Sequence, residues 1–267
     1  MLLVADIGNT NIKFGVFDGS PDKLIGTFAV SSSSRRTPDE YSLIIKHFLL
    51  ENNLSCDKIN CAVSSVVPSL TYDISCAFKN SFGTETFMIG TGTRTGFPIK
   101  IDTQSQLGAD IVSNTAAAFN ICEPPFAVVD IGTATTITCV DSAGALIGTV
   151  IAPGLSVSLD GLKTTCALLT DINFEKPSAI IGKNSQVSIQ SGAFWGHIYM
   201  IDGFVRQICD MLCDNGDKLS LVGTGGLSDK ILPFCRNKFE IDPNLTLKGA
   251  ASLYYHNTAH SRCNYTK

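Results

Sequence analysis

Two short stretches of this chain set an aspartate at the end of an apolar strand, beside a small polar turn. The first is Val4-Ala-Asp-Ile-Gly-Asn-Thr-Asn-Ile-Lys-Phe-Gly-Val-Phe-Asp18. A strand runs into Asp6, and the turn Gly8-Asn9-Thr10 follows. A second strand, Ile12 to Phe17, leads back, and Asp18-Gly19 closes the next turn. Loop N–H groups, the Asn9 and Thr10 side chains and Lys13 can surround phosphate oxygens. Asp6 can hold a hydrated Mg²⁺ over the same phosphates, because Mg²⁺ takes few protein carboxylates and keeps its waters. Taken once, an ordinary surface hairpin explains the pattern equally well. But Val128-Val-Asp-Ile-Gly-Thr-Ala-Thr-Thr-Ile-Thr-Cys-Val-Asp141 repeats it, with Asp130-Ile131-Gly132 matching Asp6-Ile7-Gly8 and Thr133 standing where Asn9 does. The repeat implies two similar subdomains. Chance duplication of a bare turn is the weaker explanation.

Two further stretches have residue types suited to the same chemistry. Gly223-Thr-Gly225-Gly226 reads as a strand-to-helix turn where a base or ribose could approach the backbone closely. Many such turns only cap helices. Phosphoryl transfer also needs a group to take the acceptor hydroxyl's proton. Gly108-Ala109-Asp110 precedes the helical run Ile111 to Phe119, so a helix dipole would favour the charged, proton-accepting form of Asp110. An aspartate just before a helix is also a common N-cap, and spacing alone favours that role. The chain has no G-x-x-x-x-G-K-[ST], G-x-S-x-G or H-E-x-x-H motif.

The elements that must hold these residues read as a layered α/β fold. A third strand is expected at Leu24–Val30, a helix at Pro38–Leu50, a strand at Ile59–Val67, a helix from Pro68 to about Asn80, and a strand at Glu85–Ile89. The second half repeats the order. Strands are expected near 127–131, 135–141 and 145–152, helices after Gly154 and over about Val187–Leu212, and a strand at Leu219–Val222. A short strand at Phe239–Ile241 and a helix from about Leu247 follow, with a polar, frayed tail after His256. The expected domains are 1–120 and 121–267.

Composition narrows the class. The 267 residues are 44% hydrophobic and 16% charged, enough for buried cores in two domains. Net charge is −4 with no Lys/Arg run beyond Arg35-Arg36, which argues against a nucleic-acid or membrane-surface partner. Met1-Leu-Leu-Val-Ala meets Asp6 at once, without the basic region of a signal peptide, and no apolar run reaches membrane-span length. The ten cysteines are scattered without a C-x-x-C pair, as expected of reduced thiols in a cytoplasmic protein.

The two D-I-G hairpins resemble those of the actin-like ATPase and sugar-kinase superfamily. That implies duplicated ribonuclease-H-like subdomains, mixed sheets flanked by helices, and a nucleotide cleft between them. Nearly end to end, the chain resembles type III pantothenate kinases. The matching pieces are residues 6–13, Gly108-Ala-Asp110, Val129 to Thr135, Pro153-Gly-Leu155, Ile181-Gly-Lys-Asn184, Gln190-Ser-Gly192 and Gly223 to Gly226. The resemblance implies a cytoplasmic homodimer using ATP, Mg²⁺ and a monovalent cation, K⁺ or NH₄⁺, to phosphorylate the 4′-hydroxyl of pantothenate, the first step of coenzyme A synthesis. By position, Asp6, Ile7, Gly8, Asn9, Thr10, Asn11, Ile12 and Lys13 would bind ATP phosphates, and Thr133 would make a second ATP contact. Asp130 would ligate the monovalent cation, and Asp110 would be the general base. Gly108, Ala109, Asp110, Ile111 and Ser185 would meet pantothenate. The departures cluster on the acceptor side. Ile111 stands where the family usually has Arg, Ile101-Asp-Thr-Gln104 replaces a stretch with Tyr and Asn-Pro, and Ser185 replaces Thr but keeps the hydroxyl. A kinase of another small hydroxyl compound and a non-catalytic nucleotide-binding accessory protein remain the alternatives.

Overall fold

The structure, a computed structural model, describes residues 1–55, 58–165, 174–213 and 218–263. Its elements in chain order begin with β1 (Leu2–Ile7), β2 (Asn11–Phe17), β3 (Leu24–Ser31), α1 (Pro38–Glu51), β4 (Asn60–Ser65), α2 (Pro68–Phe82), β5 (Thr86–Met88) and α3 (Ala109–Ala118). They continue with β6 (Phe126–Ile131), β7 (Ala134–Val140), β8 (Leu146–Pro153), α4 (Leu155–Thr165), α5 (Ser185–Leu212), β9 (Ser220–Thr224), α6 (Ser228–Ile231), β10 (Glu240–Ile241) and α7 (Leu245–Cys263).

The two repeated strands are the central strands of two five-stranded sheets, ordered β3-β2-β1-β4-β5 and β10-β9-β6-β7-β8. β1 is antiparallel to β2 and parallel to β4; β6 is antiparallel to β7 and parallel to β9. This is the mixed-sheet duplication expected from the repeat. A central strand is covered on both faces, which is why Leu2-Leu-Val-Ala5 is apolar throughout rather than alternating. Leu3, Ala5 and Ile7 join a core with Tyr41, Ile45 and Leu49 of α1 and Ile74 and Phe78 of α2. Leu2 and Val4 point the other way, into a core with Ala109, Val112 and Ala116 of α3 and Leu247 and Ala250 of α7.

Local signals fix the helix starts. Thr37 and Glu40 form a capping box on α1: the Glu40 N–H donates to Thr37 Oγ1 and the Thr37 N–H to Glu40 Oε2, at 3.3 and 2.7 Å. Asn184 caps α5 by accepting the Val187 N–H at 2.9 Å. Along α5, Phe194, Ile198, Ile201, Val205 and Ile208 recur at helical spacing and pack with Ala127, Val129 and Ile131 of β6.

The chain divides into one unit of Met1–Asn120 with the segment from Asn244 on, and a second of Ile121–Pro243. The grouping of residues 244 onward with the second half differs, because α7 returns to pack on α3. Gly249 makes this possible, since a Cβ there would run into the Ser113 carbonyl. The Thr246 hydroxyl donates to Asn114 Oδ1 at 2.8 Å, and Asn120 Nδ2 donates to Ser252 Oγ at 3.3 Å. Nor does helix structure stop at His256. α7 continues through Cys263, and Asn257 holds its last turns by accepting the Arg94 N–H and donating to the Arg94 carbonyl, at 3.0 and 2.9 Å. No helix among the described residues is long and apolar enough to cross a membrane.

Candidate active site

In the first unit, strand register sets Asp6 opposite Lys13 on β2 and opposite Ser64 on β4. Ile7 and Ile12 are buried and anchor the turn, while Asn9, Thr10 and Asn11 are exposed. The loop backbone is held from within and from one side. The Gly8 N–H donates to the Asn11 carbonyl at 3.0 Å and the Ser32 N–H to the Thr10 carbonyl at 2.9 Å. The Ser32 hydroxyl donates to the Gly8 carbonyl at 2.6 Å. The result is a fixed loop presenting three short polar side chains next to a carboxylate and an amine, an arrangement suited to phosphate oxygens and a hydrated divalent cation.

Asp6 shares a sheet face with Leu2 and Val4, the face that α3 covers. The contact continues to the strand end, where the Ser113 hydroxyl donates to Ser64 Oγ at 3.5 Å. Asp110 lies one helical turn before Ser113. The N-cap of α3 is Gly108, without a side-chain cap bond, so Asp110 is inside the first turn rather than the cap that spacing alone favours. Its Oδ1 accepts the Ile111 N–H at 2.8 Å. Burial pushes the Asp110 carboxyl above the usual carboxylate range, and the N–H bonds oppose that rise. Gly108 leaves room for this carboxylate: a Cβ there would have to push Asp110 Oδ1 aside. Ala109 and Ile111 are buried, and the Ile111 side chain brings no polar atom to this end of the helix.

The second unit gathers another set. Asp130 stands opposite Thr136 on β7 and Thr224 on β9. The Gly132 N–H donates to the Ala134 carbonyl at 3.0 Å, the Gly154 N–H to the Thr133 carbonyl at 3.1 Å, and the Leu227 N–H to the Ile131 carbonyl at 3.3 Å. These bonds tie three turns together around an exposed Thr133. Gly225 has φ +96°, and a Cβ there would sit 2.5 Å from both Asp130 Oδ1 and the Ile131 carbonyl oxygen. Gly226 faces open space. Gly223 departs from expectation. It lies inside β9, where a Cβ would run into Leu232, so its small size serves sheet–helix packing rather than ligand approach.

Ser185 is exposed at the first residue of α5. Twelve residues along, His197 Nε2 lies 2.9 Å from Thr135 Oγ1 in a buried contact next to the Asp130 turn. A rise of 1.5 Å per residue puts Ser185 roughly 18 Å from that contact along the helix axis. Burial holds the His197 pKa below its usual value. Sequence reasoning missed Ser64, Ser113, Thr135 and His197. Only the tertiary pairing reveals the partner of each.

The family model for type III pantothenate kinase matches residues 2–207. A type III pantothenate kinase of Geotalea uraniireducens is 36% identical over 258 residues, covering 96% of this chain and 99% of the relative. Another from Rhodospirillum centenum is 37% identical over 262 residues, covering 97% and 100%. Among solved structures, the activator of 2-hydroxyisocaproyl-CoA dehydratase from Clostridium difficile, with bound ADPNP, aligns with a TM-score of 0.50 at 13% identity. It covers 100% of this chain and 98% of that one, a likeness of fold alone. With its duplicated Asp-Ile-Gly hairpins and full-length relatives, the chain belongs to the type III pantothenate kinase family.

Proposed function

We propose that this protein transfers the γ-phosphoryl group of ATP to the 4′-hydroxyl of pantothenate, giving 4′-phosphopantothenate, the first step of coenzyme A synthesis. The observation that carries this reading is Asp110. It is a half-buried carboxylate with raised proton affinity, set in the first turn of a helix docked beside the Asp6 turn. Asp110 accepts the hydroxyl proton as the acceptor oxygen bonds to the γ-phosphorus and the bond to ADP breaks, the electron pair leaving on the ADP oxygen. The helix N-terminus and Gly108 hold the base: one favours its charge, the other leaves room for its carboxylate. Residues 6–13 bind the ATP phosphates, and Thr133 makes a second ATP contact. Gly225 and Gly226 flank the nucleotide, whereas Gly223 drops out of the binding set for the packing reason above.

The residues present suit the expected cations. Asp6 offers one carboxylate at a polar loop, which fits Mg²⁺ completing its shell with water and phosphate oxygens. Asp130 Oδ1 and the Ile131 carbonyl oxygen both lie beside the bare Cα of Gly225, a hard-oxygen pair that fits K⁺ or NH₄⁺. Bound cations would offset phosphate charge as it redistributes in transfer. A homodimer is supported by exposed apolar side chains on the second unit, Ile151, Ile180 and Ile181. A cytoplasmic setting is supported by Cys61 and Cys139, free buried thiols whose pKa values burial pushes up to about 12 and about 11.

Phosphorylation of another small hydroxyl compound is the second reading, favoured by one observation. Ile111 gives the acceptor no charged group where the family usually has Arg. ATP consumption with pantothenate and with its neutral alcohol analogue, pantothenol, separates the two readings. Pantothenate kinase activity requires a higher kcat/KM for pantothenate. A preference for pantothenol would assign the enzyme an uncharged acceptor.

A further inference from the structure

At the end of its sheet opposite the Asp130 turn, the second unit holds a cavity of about 620 Å³ between the C-terminal half of α5, the start of β9 and the segment before β10. That volume is in the range of small-molecule sites. Val205, Leu219 and Leu221 form an apolar floor and are almost fully buried. Arg206, Lys218, Arg236 and Lys238 surround it. None of the four forms an ion pair among the described residues. Two carboxylates, Asp202 and Asp210, also line the cavity. Asp202 already accepts the Arg236 backbone N–H, at 3.0 and 3.3 Å to its two oxygens. In a chain of net charge −4, this cavity is a locally cationic concavity with an apolar base. At one side stands Tyr199, its ring stacked on Trp195 with centroids 6.2 Å apart and more than half of its surface exposed.

We propose that this cavity is a second binding site, distinct from the kinase site, for a small organic anion: a phosphate- or carboxylate-bearing molecule with an aromatic or apolar body. The acidic group would meet the Arg206, Arg236 and Lys238 side chains, and the body would rest on the Val205–Leu221 floor against Tyr199. Guanidinium groups favour oxyanions because they donate paired N–H bonds to them. The floor and ring select against a bare inorganic ion, whose apolar contact would be nil.

The chain reports on this site itself, since Trp195 is its single tryptophan and touches the Tyr199 ring. Phenyl phosphate is titrated into the intact protein with a non-hydrolysable ATP analogue saturating the kinase site, following Trp195 fluorescence and heat release. Expected is saturable binding that is weaker for phenol and for inorganic phosphate. Arg206→Glu with Lys238→Glu weakens it about tenfold or more, with pantothenate phosphorylation unchanged. Overturning results are absence of saturable binding with the kinase site filled, or binding of equal strength in the charge-reversed protein. Should the double variant misfold, Arg206→Gln and Lys238→Gln singly must each weaken binding; unchanged affinity in both also overturns the proposal.

Discussion

At Asp110, burial strengthens the carboxyl's hold on a proton, while the Ile111 N–H weakens it. The net rise places the ionised form in conflict with the fold and suits it to accept a proton. Asp110→Asn is therefore expected to keep ATP affinity and lose about 10²–10⁴-fold in kcat. The acid limb of the wild-type kcat profile should lie above the usual aspartate value of about 3.9, and the variant should lose it. Stability should move the opposite way. The folded-state pKa exceeds the unfolded one, so the native state binds more protons across that window and loses stability as pH rises through it. Thermal denaturation should show Asp110→Asn more stable than wild type at neutral pH, with the gain vanishing below about pH 3, where both states are protonated. Gly108→Ala tests the same carboxylate by geometry. The new Cβ must push Asp110 Oδ1 aside, so kcat should fall at least about tenfold with the ATP dissociation constant unchanged. Full kcat in the Gly108→Ala variant would mean that the Asp110 rotamer has no part in turnover. The residue pattern makes Asp110 visible as an acid near a helix start, but spacing does not separate a cap from a base. The N-cap position of Gly108 removes the cap role from Asp110.

Strands β1, β2, β6 and β7 are legible because their residues announce themselves locally: apolar runs, a D-I-G turn and a repeat. The docking of α7 is not. Its partner α3 lies far away in sequence, and the contact is made by Gly249 and two alanines, Ala250 and Ala251, which carry little periodic signal. Gly223 misleads for a related reason, since a glycine that makes room for Leu232 looks in sequence like one that makes room for a ligand. Gly249→Ala should force α7 off α3 and cost about 1–3 kcal/mol in chemical denaturation, with kcat falling because α3 carries Asp110. Unaltered stability would show that the helices can separate without loss. In the second unit, the Asp130 turn is tied to Gly154 and Gly225 by backbone contact. On the cation assignment, wild-type activity rises when K⁺ replaces Na⁺, and Asp130→Ala abolishes that response. Equal wild-type rates in the two salts would contradict the assignment.

For the molecule as a whole, two copies of one hairpin pack against different neighbours. The Asp6 copy adjoins the helix that carries Asp110, and the Asp130 copy adjoins two glycine turns. Duplication is visible in the sequence, whereas what packs on each copy is visible only in the fold. The acceptor side departs most from the family pattern, at Ile111 and at 101–104, so the identity of the product is the sharpest question. Phosphorus NMR of the reaction with ATP, Mg²⁺, K⁺ and pantothenate identifies that product directly. A pantothenate kinase gives a phosphomonoester on the 4′-oxygen in step with ADP, needs pantothenate for ADP release, and loses about 10²–10⁴-fold of the rate in Asp110→Asn. ADP released at the same rate without pantothenate, with no phosphomonoester formed, would contradict the assignment.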